Sequence, residues 1–201
     1  MTQIKVAIIY HSGLGHTAYQ AKAVRDGAQS VECSEATLIF AGDAMDRRAE
    51  LHASDAMIFG CPTYMGSASA GFKEFMDATS RIWLAQGWRN KVAGAFTNSG
   101  NQSGDKLSTL YQLMTFAMQH GMVWAGLDLP GGNNSTRGGT EDLNRLGSWV
   151  GAMAQSNTDQ GIDGIEESDL RTAYRLGARV AQVAVALNSA NTLDHKRSLP
   201  F

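Results

Sequence analysis

Short apolar runs alternate with amphipathic helical segments through the first half of this chain, and that alternation constrains the fold more than any other feature. Residues 5–10 (K-V-A-I-I-Y), 36–40 (A-T-L-I-F), 56–60 (A-M-I-F-G) and 92–96 (V-A-G-A-F) are short and almost free of polar interruption. Strands buried on both faces of a sheet have that composition. Between them, residues 17–28 carry Ala18, Ala21, Val24 and Ala28 at helical spacing, and 43–53 has a short helical look. Residues 70–84 set Phe72, Phe75, Met76 and Thr79 on one face, and 106–120 point Leu107, Leu110, Met114 and Met118 inward. Strand and helix alternating at this length predict a parallel sheet with right-handed crossovers and helices on both faces.

The second half departs from the pattern. A fifth strand begins at 122–124, but residues 130–164 are rich in Gly, Asn, Ser and Asp, with one apolar island at 149–153. We read this as a long loop that interrupts the fifth strand, which resumes near the island. The last helix is predicted over 167–187, with Ser168 as N-cap and Leu170, Tyr174, Gly177, Val180 and Ala184 along one face. Residues 189–201 read as a loosely held tail. The expectation is one α/β domain over 1–201, a doubly wound, five-stranded parallel sheet.

Composition excludes several classes. With 43% apolar and 18% charged residues the chain can bury a core. A net charge of −2 leaves no basic surface for nucleic acid or an anionic membrane. Cys33 and Cys61, the two cysteines, are too few for a disulfide scaffold and read as inert thiols in strands or strand ends, in a reducing compartment. The N-terminus runs directly into a strand without a signal-peptide h-region, and no apolar run reaches the ~18 residues of a membrane span, so a cytoplasmic protein is expected. His11, His52 and His195 show no metal-binding spacing.

In an open α/β sheet, ligands bind outside the carboxyl ends of the strands, and three loops fall there. The first is Ser12, Gly13, Leu14, Gly15, His16 and Thr17, where glycines permit close backbone approach and hydroxyls plus helix N–H groups can hold a phosphate without a point charge. It lacks the Gly-Lys-Ser/Thr ending of a Walker A loop. It formally matches G-x-G-x-x-G/A, but the acid that fingerprint needs arrives late, at Asp43. The second is Pro62, Thr63, Tyr64, Met65 and Gly66, in which Pro62 ends the strand and Tyr64 and Met65 offer a flat or soft surface. The third is Thr97, Asn98, Ser99, Gly100, Asn101, Gln102 and Ser103, uncharged and suited to the polar edge of a flat heterocycle.

The phrases Y-H-S-G-L-G-H-T, F-G-C-P-T-Y-M-G-S and F-T-N-S-G-N-Q-S-G, with M-Q-H-G-M-V at 118–123 and F-K-E-F-M-D-A-T at 72–79, resemble the WrbA-like family of flavodoxin-like NAD(P)H:quinone oxidoreductases. The resemblance spans about 4–188 and is weakest at 41–54 and 131–165. It implies strand order 2-1-3-4-5 and an FMN cofactor. Its phosphate would lie on Ser12–Thr17, and its ring and ribityl chain on 62–64 and 97–103. His120 would lie at the ring's carbonyl edge and Trp83 beside the substrate. It further implies a homodimer or homotetramer in which Trp83 and the 131–165 loop complete the flavin's open face. Leu14, Tyr64 and Met65 depart from the family's usual aromatic, Arg and Phe.

Taken as single residues, Trp88 reads as packing, Arg137 as a solvated side chain, His16 as a backbone contributor, and His120 alternatively as a cation capping a helix C-terminus. No motif supports a protein nucleophile, so redox chemistry would reside on the flavin. The function expected is FMN-dependent transfer from NAD(P)H to quinones or similar flat acceptors. The alternatives are a flavodoxin-type electron carrier and an NADPH-dependent FMN or iron-complex reductase.

Overall fold

The computed structural model describes residues 3–194, with side chains through residue 190. Seven strands, β1 (Ile4–Tyr10), β2 (Ser34–Phe40), β3 (Ala56–Tyr64), β4 (Ser67–Ala68), β5 (Val92–Ser99), β6 (Val123–Trp124) and β7 (Ala152–Gln155), are interleaved with six α-helices. These are α1 (His16–Gln29), α2 (Arg48–Ala53), α3 (Ala70–Ala78), α4 (Ser80–Leu84), α5 (Lys106–Gln119) and α6 (Glu167–Asp194). The main sheet runs β2-β1-β3-β5-β6 and is parallel throughout, while β4 is a short antiparallel return on β3. Once that hairpin is set aside, this is the expected doubly wound order.

The interrupted fifth strand is real. β6 pairs with Val92 and Ala93 at the start of β5, and β7 pairs with Phe96 through Ser99 at its end, both parallel. The chain leaves the sheet after Trp124 and returns to the same edge at Ala152. The Trp124 indole N–H donates to the Val150 carbonyl at 3.0 Å, which fastens exit to return.

Strand periodicity divides the core in two. Ala7, Ile9, Met57, Phe59, Ala93 and Ala95 face α2–α5, while Val6, Ile8, Ala56, Ile58 and Val92 face α1 and α6. Those last two helices cross at glycines. A Cβ on Gly177 would collide with the Val24 carbonyl, and one on Gly27 with that of Tyr174.

Several local expectations change. Pro62 does not end β3, which runs on to Tyr64. At Pro62 the strand has outrun β1, whose pairing stops at Gly60, so the proline sits where only β5 flanks it and no ladder N–H is missed. The predicted helix 70–84 breaks at Thr79, whose hydroxyl donates back to the Met76 carbonyl at 2.7 Å. On α5 the buried apolar residues are Leu110, Leu113, Phe116 and Ala117, whereas Leu107 and Met118 are exposed and Met114 is half-buried. On α6, Ala173 and Leu176 are buried and Tyr174 is exposed.

Ser168 does not cap α6. Its hydroxyl donates to the Thr140 carbonyl at 2.6 Å and ties down the long loop. Cys33 lies in a turn at φ 63°, half-buried, rather than in a strand. Cys61 is buried within β3, and burial pushes its thiol up to about 12. Helix α6 continues over 188–194 where a loose tail was expected, while 195–201, with His195, lie outside the described residues.

Candidate flavin site

The rim formed by the carboxyl ends of β1, β3 and β5 gathers all three loops. One cavity of about 180 Å³ is lined by Leu14, His16, Thr17, Pro62, Thr63, Tyr64, Asn98, Ser99, Gly100, Ser156 and Thr158. In the first loop, Gly15 takes φ 93°, which turns the chain into α1. Ser12 Oγ accepts from the Gly15 and Ala18 N–H groups at 3.1 and 3.2 Å, which leaves its own proton free to donate outward. The N–H groups of Leu14, His16 and Thr17 have no acceptor among the described residues. A cluster of unspent donors at a helix N-terminus, with no carboxylate among the cavity's lining residues, is the chemistry that holds a phosphate.

The second loop is a tight hairpin. Met65 and Gly66 take φ 49° and 74°, and Thr63 and Tyr64 pair with Ala68 and Ser67. Two successive left-handed residues define the primed turn that two-residue hairpins favour. Met65 is fully exposed at the tip. Tyr64 leans back over the first loop, and a Cβ on Gly13 would come within 2.5 Å of its Oη.

Beneath the rim runs a buried polar network. Thr63 Oγ1 lies 2.9 Å from both Thr97 Oγ1 and Thr109 Oγ1, and the Thr97 hydroxyl donates to the Cys61 carbonyl at 2.6 Å. Asn98 Nδ2 donates to Thr17 Oγ1 at 2.7 Å, which commits that oxygen as acceptor and leaves the Thr17 proton unspent. Asn98 therefore joins the first and third loops. Ser156 Oγ donates to Asn98 Oδ1 at 3.2 Å, which adds a fourth segment.

That fourth wall follows β7. Ser156 and Ile165 close a small β-bridge, Thr158 abuts Gly100, and Ile162 lies over Gly15. His16 latches it, with Nε2 2.7 Å from the Gly161 carbonyl; since a carbonyl only accepts, Nε2 carries the proton. The imidazole thus does more than the backbone role expected of it. Sequence reasoning missed Ser156, Thr158 and Gln20, the last of which donates to the Thr97 carbonyl at 3.3 Å. The signal was available: the rim rule applies equally to a resumed fifth strand, whose carboxyl end opens on S-N-T-D-Q-G.

His120 and Trp83 lie elsewhere in this chain. Helix α5 runs back from the third loop, so its end meets the starts of the strands; there the Asn90 N–H donates to the Gly121 carbonyl at 2.9 Å. The eight residues of β5 separate that edge from the rim by roughly 23 Å. His120 is 1% exposed, stacks on Trp88 at 4.4 Å and shares a 3.0 Å hydrogen bond with Thr79 Oγ1. Burial lowers its pKa to about 4, so it is neutral and does not cap α5 as a cation. Trp83 is 47% exposed near the same edge, its carbonyl bonded by Gln86. Trp88 is fully buried packing, and Arg137 is solvated.

Three larger grooves are present, one of about 270 Å³ beside β1, β2 and α2 among them. One of about 660 Å³ follows α3 and α5 and is mostly apolar, and one of about 710 Å³ begins at Gln102 and Ser103 of the third loop and runs between α5 and the segment Arg145–Val150. None of the three gathers the unspent α1 donors of the smaller cavity, so chemistry rather than volume selects it. The described residues contain no cluster of three or more His, Cys, Asp or Glu able to hold a metal, and no helix long and apolar enough to cross a membrane.

Comparison with known proteins accords with this geometry. Residues 19–129 match the family model for NADPH-dependent FMN reductase. The chain belongs to that family. Among similar members of the wider flavodoxin-like group is flavodoxin FldP of Pseudomonas aeruginosa, 41% identical over 189 residues, covering 92% of this chain and 99% of that protein. An NAD(P)H dehydrogenase (quinone) of Archaeoglobus fulgidus is 31% identical over 205 residues, covering 91% and 98%. The crystal structure of a WrbA-like flavodoxin from Agrobacterium tumefaciens superposes with a TM-score of 0.70 at 39% identity, covering 92% and 99%. The WrbA-like resemblance and the flavodoxin-like fold are thereby borne out, and the FMN reductase family makes the chain an oxidoreductase.

Proposed function

We propose that this FMN-dependent oxidoreductase takes electrons from NAD(P)H and delivers them pairwise to quinones or similar flat acceptors, donor and acceptor using one site in turn. The observation that carries this reading is the rim itself, four segments that line one cavity without a carboxylate and with unspent donors, gathered at one end of a parallel sheet. Those donors fit FMN: Ser12, Thr17 and the N–H groups of Leu14 and His16 would hold its phosphate. Residues 62–64 and 97–103 would hold the ribityl chain and ring. Bound there, the flavin supplies reversible two-electron chemistry. The protein's own task is to bind and orient, with the Asn98 network keeping the first and third loops in register and the Gly161 latch covering the phosphate.

The resemblance sets Trp83 and His120 beside the ring. Within one chain they lie at the opposite sheet edge, so the half-exposed Trp83 would have to come from a second copy, while His120 is buried beneath that surface. A homodimer or homotetramer in the cytoplasm is the assembly we infer.

A flavodoxin-type carrier is the second reading, favoured by the 41% identity to flavodoxin FldP. A net charge of −2 weighs against it, because carriers dock by strong charge complementarity. Anaerobic mixing of the FMN-loaded protein with NADH or NADPH separates the two. Bleaching of the flavin colour, restored by a quinone, supports the enzyme; no bleaching by either nucleotide contradicts it and leaves the carrier.

A further inference from the structure

The third loop is held from beneath by a charge. Lys106 opens α5 and is fully buried. Its Nζ donates to Ser99 Oγ at 2.9 Å, the Asn101 carbonyl at 2.7 Å and the Gln102 carbonyl at 2.8 Å, which engages all three ammonium protons on one loop. Left-handed backbone at Gly104 and Asp105 (φ 52° for each) folds the chain back so that the side chain can reach under it.

That location is costly. The ammonium is out of water and at the positive end of a helix dipole, and its three partners are neutral. The charged groups that act on it are Asp169 on α6 and Arg145 in the long loop, while the adjacent Asp105 is solvent-exposed; Asp169 is already committed to a bidentate pair with Arg145 at 2.8 and 2.7 Å. The three buried charges therefore sum to one positive charge beneath the loop. Burial lowers the Lys106 pKa to about 8.

The arrangement has a directional consequence. In a planar trans peptide the carbonyl and the following N–H point opposite ways. With the Asn101 and Gln102 carbonyls turned in toward Lys106, the N–H groups of Gln102 and Ser103 turn out, and neither has an acceptor among the described residues.

We propose that Lys106 is a positioning residue that holds the third loop with the Gln102 and Ser103 N–H groups aimed at an electron-rich, carbonyl-bearing heterocycle and leaves its own unpaired charge beneath that ligand. Naming the ligand as FMN rests on the function proposed above. A structural lysine alone would brace the fold without coupling to ligand.

The test is an FMN fluorescence-quenching titration of the wild-type protein and of Lys106→Met from pH 7 to 9, above the phosphate ionisation near 6. Wild-type affinity falls as pH rises through about 8. Lys106→Met binds roughly tenfold or more weakly at pH 7 and is flat across the range. A wild-type affinity constant over that range overturns the inference, and so does a folded Lys106→Met protein with wild-type affinity and profile. Hydrogen exchange of the 99–105 segment without flavin separates the two hypotheses. If the wild-type protein binds no FMN, the flavin reading fails; unchanged exchange of this segment in Lys106→Met would then overturn the loop-holding role of Lys106 as well.

Discussion

The two ends of the sheet each hold a buried histidine, and the contrast between them is instructive. At the carboxyl rim His16 is tied to a loop carbonyl within a field of hydroxyls, amides and glycines, with donors left unspent around it. At the opposite edge His120 is wedged between Trp88 and Phe116, its Nδ1 without a partner among the described residues. The rim keeps hydrogen-bonding capacity in reserve, as a binding site must. The far edge spends its contacts on packing, with one imidazole neutralised in the process. Burial of a polar side chain is therefore not a mark of function in itself; what differs is whether donors remain for something else.

Each end can be challenged by substitution or pH. The largest expected effect is at the rim: Ser12→Asp sets a carboxylate against the phosphate and weakens FMN binding roughly a hundredfold or more, read by fluorescence titration. Unchanged affinity would remove the first loop from the site. Acid acts on the far edge. The folded pKa of His120 is near 4 against 6.5 unfolded, so the unfolded chain binds more protons between those values. Its contribution is complete above pH 6.5 and is lost as pH falls toward 4, up to about 3 kcal/mol. Denaturant melts of wild type and His120→Gln across that window should diverge, with the variant less acid-sensitive; parallel curves would refute the assignment.

Smaller effects sharpen the contrast further. Thr17→Val leaves Asn98 Nδ2 with only its long 3.4 Å contact to Gln20 and removes one outward donor, a loss of about 1–2 kcal/mol in stability and roughly tenfold in FMN affinity. Calorimetry on the two forms checks both numbers. Gly13→Ala is the mildest, because the obstructing atom is the tip of the Tyr64 side chain, which can swing away. Stability should change by less than about 1 kcal/mol, while the tyrosine fluorescence reports a displaced ring.

Much of this was legible in the sequence, and the failures have physical causes. The strands and the split fifth strand were readable because burial on both faces leaves an unmistakable apolar run, and because the island at 149–153 stands out in a polar stretch. The three loops were readable because glycine and hydroxyl residues mark strand ends. Pro62 misled because the rule against strand proline assumes neighbours on both sides, and β1 is shorter than β3. Leu107 and Met118 misled because a helix with apolar residues on two faces leaves its periodicity ambiguous. The role of Lys106 was not legible, since nothing local announces that two left-handed positions will fold it inward. The separation of His120 from the rim follows only from the direction of α5, which a motif does not encode.

The central claim is that uncharged groups of the first loop, Ser12, Thr17 and the backbone N–H groups beside them, hold a phosphate. Parallel titration of the flavin-free protein with FMN and with riboflavin, identical but for the phosphate, tests it most directly. The account predicts that FMN binds at least roughly a hundredfold more tightly and that Ser12→Asp erases the difference. Equal affinities for the two flavins in the wild-type protein would contradict it.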